Sequence, residues 1–328
     1  RDLQKTAIKG YADQLADLRD SAATNETRVA SAVVLPARTV PVAGGVSANR
    51  RDLYLVVDLA GGTDAQNYPA SYLADIPKGG WTDEYKTDKL VLRRIEPGSF
   101  VMGSPEKELG RQNTETQHKV TLTKVFYIGV FEVTQKQWEL VMGSNTSAFK
   151  ANSDTFPVEQ VSYLDIRGSG DGANWPATNS VDATSFMGKL RARTGTVFDL
   201  PTEAQWEYAC RAGTHDAYAG KGGLDNMGWY KDNASGKSHP VGQKGANAWG
   251  LYDMHGNVWE RCLDWCGTET KSHAVSDPKG ASSGSARVNR GGGWGWSADA
   301  CRSAAPGAWT PAARGGDFGF RVALPSGK

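Results

Sequence analysis

Hydrophobic and polar positions change their period several times along this chain. From Asp52 to Asp58 the string Leu-Tyr-Leu-Val-Val is continuously apolar, and Gly61-Gly62 follow. That composition predicts a strand closed by a turn, so a compact domain is expected from about residue 51. Phe126-Tyr-Ile-Gly-Val-Phe-Glu-Val133 reads as another strand. Directly after it, Thr134 with Gln137 three residues on makes a capping box, which predicts a helix through Trp138 and Leu140 to a stop at Gly143. A second helix is predicted from a Ser180 cap, with Ala183, Phe186, Met187 and Leu190 on one face and Gly195 at its end. Thr202 and Gln205 form another capping box after Pro201, opening a third helix that stops near Gly213.

The two ends read differently from this middle. Residues 1–50 carry Leu3, Ile8, Tyr11, Leu15 and Leu18 at loosely helical spacing before a Thr/Ala/Val/Pro stretch, the pattern of a leader helix and spacer. Residues 51–328 show no linker and are expected to form one domain. From Gly242 to Leu324 only short apolar runs occur, set among Gly, Trp, Asn and Ser. So long a weakly patterned stretch inside a domain is either functional or disordered. Trp249, Trp259, Trp265, Trp294, Trp296 and Trp309 argue that it is ordered.

Bulk numbers narrow the class. In 328 residues, 37 Lys+Arg offset 36 Asp+Glu for a net charge of +1, which argues against a phosphate-coating protein, so no nucleic-acid partner is expected. The longest apolar stretch, Val29 to Ala37, contains Ser31 and Pro36 and is far shorter than the roughly 18 residues of a membrane span, so no transmembrane span is expected. Four cysteines, Cys210, Cys262, Cys266 and Cys301, are too few for a disulfide-scaffold mini-protein, and their redox state stays open. The chain opens on Arg1 without a signal-peptide pattern, and its natural start is expected to lie upstream.

Several strings then fall together. Phe100-Val-Met-Gly-Ser104, Leu200-Pro-Thr-Glu-Ala-Gln-Trp-Glu-Tyr-Ala209, Gly250-Leu-Tyr-Asp-Met-His-Gly-Asn-Val-Trp-Glu260, Arg290-Gly-Gly292, Cys301-Arg-Ser-Ala304 and Gly319-Phe-Arg-Val322 resemble the formylglycine-generating (sulfatase-modifying) enzyme family over residues 86 to 325. The resemblance implies an α+β fold of the C-type-lectin-like kind, with few helices, antiparallel strands and abundant irregular loops. Oxidase members of that family hold Cu(I) on two cysteine thiolates just after the Arg-Gly-Gly motif, a soft ion on soft ligands. Here the segment after Gly292 reads Gly293-Trp-Gly-Trp-Ser-Ala-Asp-Ala300, without cysteine. The resemblance therefore implies a chain that is not an enzyme and uses no catalytic cofactor. Relatives that oxidise sulfur compounds with iron rely on histidines from an added helical domain, and residues 1–50 contain no histidine.

The same resemblance implies a structural calcium ion held by the side chains of Asp253 and Glu260 and the carbonyls of Gly256 and Val258, oxygen ligands that suit a hard cation. The competing reading is that these acids only accept hydrogen bonds from loop amides. Cys210 reads as a small buried hydrophobe on the third helix. Cys262 and Cys266, at i, i+4 on a helical turn, with His255 offer metal-ligand types without a zinc-motif spacing. Ser235-Gly-Lys-Ser238 lacks the first glycine of a phosphate-binding loop, and Gly291, Gly293 and Gly295 do not make a dinucleotide fingerprint.

Between Gly291 and Gly319, 8 Gly, 7 Ala and 2 Ser make up 17 of 29 residues. Residues fixed in the family (Gly291, Gly292, Trp294, Cys301, Arg302, Ser303, Ala304, Arg314) alternate with idiosyncratic ones. The latter are Gly295, Trp296, Ser297, Asp299, Ala300, Ala305, Pro306, Gly307, Ala308, Trp309, Thr310, Ala312, Ala313, Gly315, Gly316 and Asp317. This alternation resembles the variable proteins of diversity-generating retroelements, in which adenines of Asn-type codons are randomised in a C-terminal segment, here about 287–325. Most of these residues fit such codons; Trp296 and Trp309 need another template codon. The resemblance implies a ligand-binding display protein at a bacterial cell surface or outer membrane, lipid-anchored through an upstream segment, whose partner is a protein or other macromolecule on host or bacterial surfaces. Large aromatics dominate binding hot spots, so Trp296 and Trp309 are the expected contact residues if exposed. If buried, they are core. A divergent enzyme of the family and a carbohydrate-binding lectin module are the competing functions.

Overall fold

The computed structural model describes residues 52–150, 153–220, 222–267 and 273–325; the leader helix and spacer expected over residues 1–50 lie outside them. The predicted first strand is β1, Tyr54–Asp58. It lies inside a sheet, between Ala70–Leu73 (β2) and Lys89–Ile95 (β3), and its run is buried on both faces because Leu55 and Val57 enter one core cluster and Tyr54 and Val56 another. Phe126–Gly129 (β6) and Ala323–Pro325 (β12) complete that sheet in the order β12-β6-β3-β1-β2, with every pair antiparallel. The strand expected over residues 126–133 thus stops at Gly129. Beyond it Glu132 turns inward and accepts hydrogen bonds from Asn257 Nδ2 and the Val258 N–H.

Two smaller sheets come from strands that lie between its first and last strands in sequence. Gly98–Met102 (β4) pairs antiparallel with His118–Leu122 (β5), which runs parallel to the short Val275–Ser276 (β8). The third sheet is built from the Gly- and Trp-rich part of the chain. It orders Gly307–Trp309 (β10), Arg287–Arg290 (β9), Trp259–Trp265 (β7) and Phe318–Gly319 (β11), antiparallel except where β11 meets β7.

Helices form where the caps predict them, with one correction. Gln135–Met142 (α1) shows both halves of its Thr134/Gln137 box and ends at Gly143 with φ +88°, a backbone conformation that costs glycine little. Tyr163–Arg167 (α2) follows a Ser162/Asp165 box that sequence reading missed, because the reciprocal acid is Asp rather than Glu or Gln. The helix expected from Ser180 begins later: it is Phe186–Thr194 (α3), capped by Ser185, whose hydroxyl accepts from the Gly188 N–H. Upstream, the Asp182 carboxylate accepts the Gly170 and Gly172 amides, which ties that stretch to a loop instead of a helical turn. Glu203–Arg211 (α4) is the third predicted helix, ending in left-handed Ala212, and Leu224–Met227 (α5) is a single turn.

The largest core cluster lies between the five-stranded sheet and α1 to α3. Trp138 and Phe186 stack there at 5.3 Å, with Phe320 edge-on to both. A second cluster around Trp206, Met254, Cys262 and Val288 joins α4 to the underside of the β7/β9 sheet. That packing fixes the platform from which residues 291–317 project.

Candidate binding surface

The segment after β9 begins with a turn that only glycine fits well. Gly292 has φ +74°, and a Cβ there would lie 2.5 Å from Cys301 Sγ. Arg290, just before the turn, reaches Glu203 at 2.7 Å and Glu207 at 3.0 Å on α4. Farther on, Arg302 is buried and donates to both oxygens of Glu115, to Glu108 and to the Gly110 carbonyl, all within 2.6–2.8 Å. These charge-assisted bonds hold the buried guanidinium. The Glu115 carboxyl stays below its ordinary range: burial opposes this, but hydrogen bonds from Arg302 and Ser104 outweigh it. Ser303 closes the attachment through its N–H to the Ala217 carbonyl at 2.7 Å.

Burial divides this segment much as the sequence does. Gly291, Gly292, Cys301, Arg302, Ser303 and Ala304 are buried, and Trp294 is half-buried with its indole N–H on the Gly316 carbonyl. Arg314 is the exception among the fixed residues: it is exposed and pairs with Asp165 at 2.6 Å. Of the 16 idiosyncratic residues, 15 reach the surface. Ala305 does not and is removed from the expected surface; it is fully buried, with its N–H on the Arg302 carbonyl. The strand β10 lies at a sheet edge between Pro306 and Pro311, and two residues without an N–H shorten the edge on which another strand could pair.

Trp296 is 40% exposed, one of few large apolar side chains so placed among the described residues. Trp309 is half-buried. Their rings meet edge-on at 5.9 Å, and both pack on Trp259, at 5.6 and 5.1 Å, while Trp309 also contacts Phe318 at 4.6 Å. Each of these tryptophans thus has one side on core aromatics, and Trp296 has another toward solvent. Arg261 lies beneath, stacked on Phe318 and donating to the Ala313 carbonyl. Burial lowers its pKa to about 10.

A cleft of about 300 Å³ opens beside β10 and was not visible in the sequence. Pro306, Gly307 and Ala308 form one wall, and Glu115, His118, Glu203, Glu207, Cys266 and Arg290 lie around it. The acids come from α4 and from the β4–β5 connection, which no motif links to the C-terminal segment. Ionisable groups converge here, yet Glu207 is held by Arg211 and Arg290, Glu115 is held by Arg302, and burial raises the Cys266 thiol pKa. A thiol held neutral is a poor nucleophile.

The cysteine and histidine expectations resolve separately. Cys210 is buried on α4, and burial pushes its pKa up to about 12. Cys262 and Cys266 are not on a helical turn: Cys262 is buried within β7, and Cys266 lies exposed past its end. His255 accepts the Ala219 N–H on Nε2, so its Nδ1–H donates to the Cys301 carbonyl at 2.8 Å. Burial lowers its pKa to about 4, which makes it a neutral structural bridge. No group of three or more His, Cys, Asp or Glu side chains among the described residues is placed to hold a metal ion.

The loop 253–260 offers an incomplete calcium fit. Asp253 has one buried oxygen without a hydrogen-bond partner while the other accepts the Gly242 N–H. Glu260 points elsewhere: its oxygens take Arg321 at 2.6 and 2.7 Å and the Trp206 indole N–H at 2.7 Å. A carboxylate bound on both oxygens by a buried guanidinium leaves little for a cation, so the two side chains do not form one ligand set.

Residues 82–325 match the family model described as the sulfatase-modifying factor enzyme 1-like domain. The chain belongs to this family. Within the sulfatase-modifying factor family it is similar to the chaperone protein LppX of Paenibacillus barcinonensis, 30% identical over 72% of this chain and 89% of that one. It is also similar to the mouse formylglycine-generating enzyme, 27% identical over 71% and 76%. Among solved structures, Treponema denticola variable protein 1 matches with a TM-score of 0.61 and 28% identity, covering 72% of this chain and 95% of that one. PvdO from Pseudomonas aeruginosa follows at 0.57 and 25% identity, covering 72% and 94%. The fold is the C-type-lectin-like α+β fold of this family.

Proposed function

We propose that this chain is a non-catalytic ligand-display protein of a bacterial surface whose C-terminal segment is diversified by a retroelement. One observation carries the reading: the residues that the family resemblance marks as fixed are mostly buried and bonded to the scaffold, whereas 15 of the other 16 are at the surface. Specificity then changes on loops without disturbing the core. Similarity to a Treponema variable protein supports this function. Surface location and a lipid anchor belong to the same proposal, and no helix among the described residues is long and apolar enough to cross a membrane.

Similarity to formylglycine-generating enzymes favours catalysis as the second reading. Against it stands the cysteine-free stretch Gly293–Ala300 after Gly292. Incubation of the protein with copper(I), oxygen, a thiol reductant to supply the other two electrons of oxygen reduction, and a cysteine-containing peptide tests the choice. An unchanged peptide mass supports display; conversion of the cysteine to formylglycine overturns it.

A further inference from the structure

Two carboxylates at the exposed aromatic patch make no close ion pair, although Lys150 lies near Glu159 and Arg261 near Asp317. Glu159 is buried; its Oε1 accepts the Ala148 and Phe149 amides at 2.6 and 2.9 Å, while its Oε2 has no hydrogen-bond partner. Asp317 is half-buried and accepts the Trp296 indole N–H. Neither forms an ion pair within 4 Å among the described residues. Arg261, the nearest cation to Asp317, stacks on Phe318 and donates only Nη2, to the Ala313 carbonyl; its Nε and Nη1 have no partner, and it makes no hydrogen bond to Asp317.

Gly316 lies over Glu159 without a side chain of its own, in a narrow gap that Gln160 and Phe149 also border. A Cβ added there would find its nearest atoms at 3.9 Å, and one of them is Glu159 Oε2. Phe149 and Trp294, edge-on at 5.8 Å, border the same gap, and the Trp294 N–H holds the Gly316 carbonyl. The exposed Trp296 continues the rim to Asp317.

An unpaired buried carboxylate is costly, and a cation over tryptophan is favourable, more so with an anion beside it. We infer that this patch recognises a basic side chain, lysine or arginine, on a polypeptide partner. Its charge would lie against Asp317 and Glu159, with its aliphatic stem along Trp296. The inference rests on reading the segment as a binding surface and adds the partner's chemistry to it.

The test is fluorescence anisotropy of the whole chain with a labelled peptide of Lys, Arg, Gly and Ser, against the same peptide with Glu at the basic positions, and with tetramethylammonium as competitor. The basic peptide is expected to bind and the acidic one not to. Asp317→Asn, Glu159→Gln and Trp296→Ala should each weaken binding by roughly fivefold or more. Gly316→Leu, which fills the gap against Glu159 Oε2 while leaving both carboxylates in the chain, should weaken it as well and serves if Glu159→Gln fails to fold. Displacement by tetramethylammonium at low concentration would instead assign the patch to a small quaternary amine and overturn the peptide partner. Absence of basic-peptide binding, or binding indifferent to both carboxylate variants, overturns the inference. A partner that binds through Trp296 but ignores Asp317 and Glu159 would leave the binding-surface reading intact while removing this one.

Discussion

The indole N–H of Trp296 donates to Asp317 Oδ2 at 2.6 Å, joining two residues 21 positions apart in the C-terminal segment. Together with its edge contacts to Trp259 and Trp309, this bond presents the Trp296 ring in one orientation. A preoriented aromatic side chain loses less entropy on binding a ligand.

The ring's exposure sets its energetic role. Trp296→Ala should cost less than about 1.5 kcal/mol in urea denaturation, because a half-solvated side chain loses little transfer energy. Trp259, 2% exposed below it, should cost about 3–5 kcal/mol on the same substitution. Equal losses at the two positions would mean that Trp296 is core after all.

The clamp between Arg302 and Glu115 makes a stability prediction with a pH signature. Arg302→Ala leaves the buried Glu115 and the half-buried Glu108 without their guanidinium and should cost about 3–5 kcal/mol. The Glu115 carboxyl titrates below its unfolded value, so its contribution is fully present above the unfolded pKa of about 4.5 and is lost as pH falls through the lower folded one. Glu115→Gln should therefore lie well below the wild type in urea midpoint at pH 7 and approach it near pH 3.

Gly292 is confined by both backbone and space. Gly292→Ala combines φ +74° with a Cβ 2.5 Å from Cys301 Sγ, and is expected to lower stability by more than about 2 kcal/mol. Gly295, with nothing within 4 Å of an added Cβ, should accept alanine with a change within about 0.5 kcal/mol. Thermal melts of the two variants side by side check the contrast between fixed and variable glycines.

Because Glu260 is committed to Arg321, calcium should not support the 253–260 loop. Melting temperature is expected to stay the same in calcium and in a chelator. Glu260→Gln should be severely destabilising, by about 3–5 kcal/mol, since it unpairs a buried guanidinium. A melting temperature that rises with calcium and depends on Asp253 would restore the ligand set that the family resemblance implies.

The local grammar of the fold was legible where it is self-contained. Thr134/Gln137 and Thr202/Gln205 each hold both partners of a reciprocal bond within four residues, so the sequence displays the whole device. Ser180 misled because the competing pull on its neighbours comes from Gly170 and Gly172, a loop away. Glu159 and the β10 cleft stayed hidden for the same reason. Their significance comes from residues far apart in the chain, as Arg302 and Glu115 are at 187 positions, and no local pattern announces such pairings. The division of the C-terminal segment was visible only through family resemblance, and the buried Ala305 shows where that guide fails.

The claim that residues 291–317 form a diversified binding surface is tested most directly by sequencing the 3′ end of this gene across isolates of its source, together with the neighbouring DNA. The expected result is a nearby reverse transcriptase and a near-copy of the segment, with substitutions confined to the surface positions and matched to adenines in the copy, while Cys301, Arg302, Ser303 and Ala304 stay constant. An invariant segment with no copy, or changes spread equally over buried and exposed positions, would contradict the account.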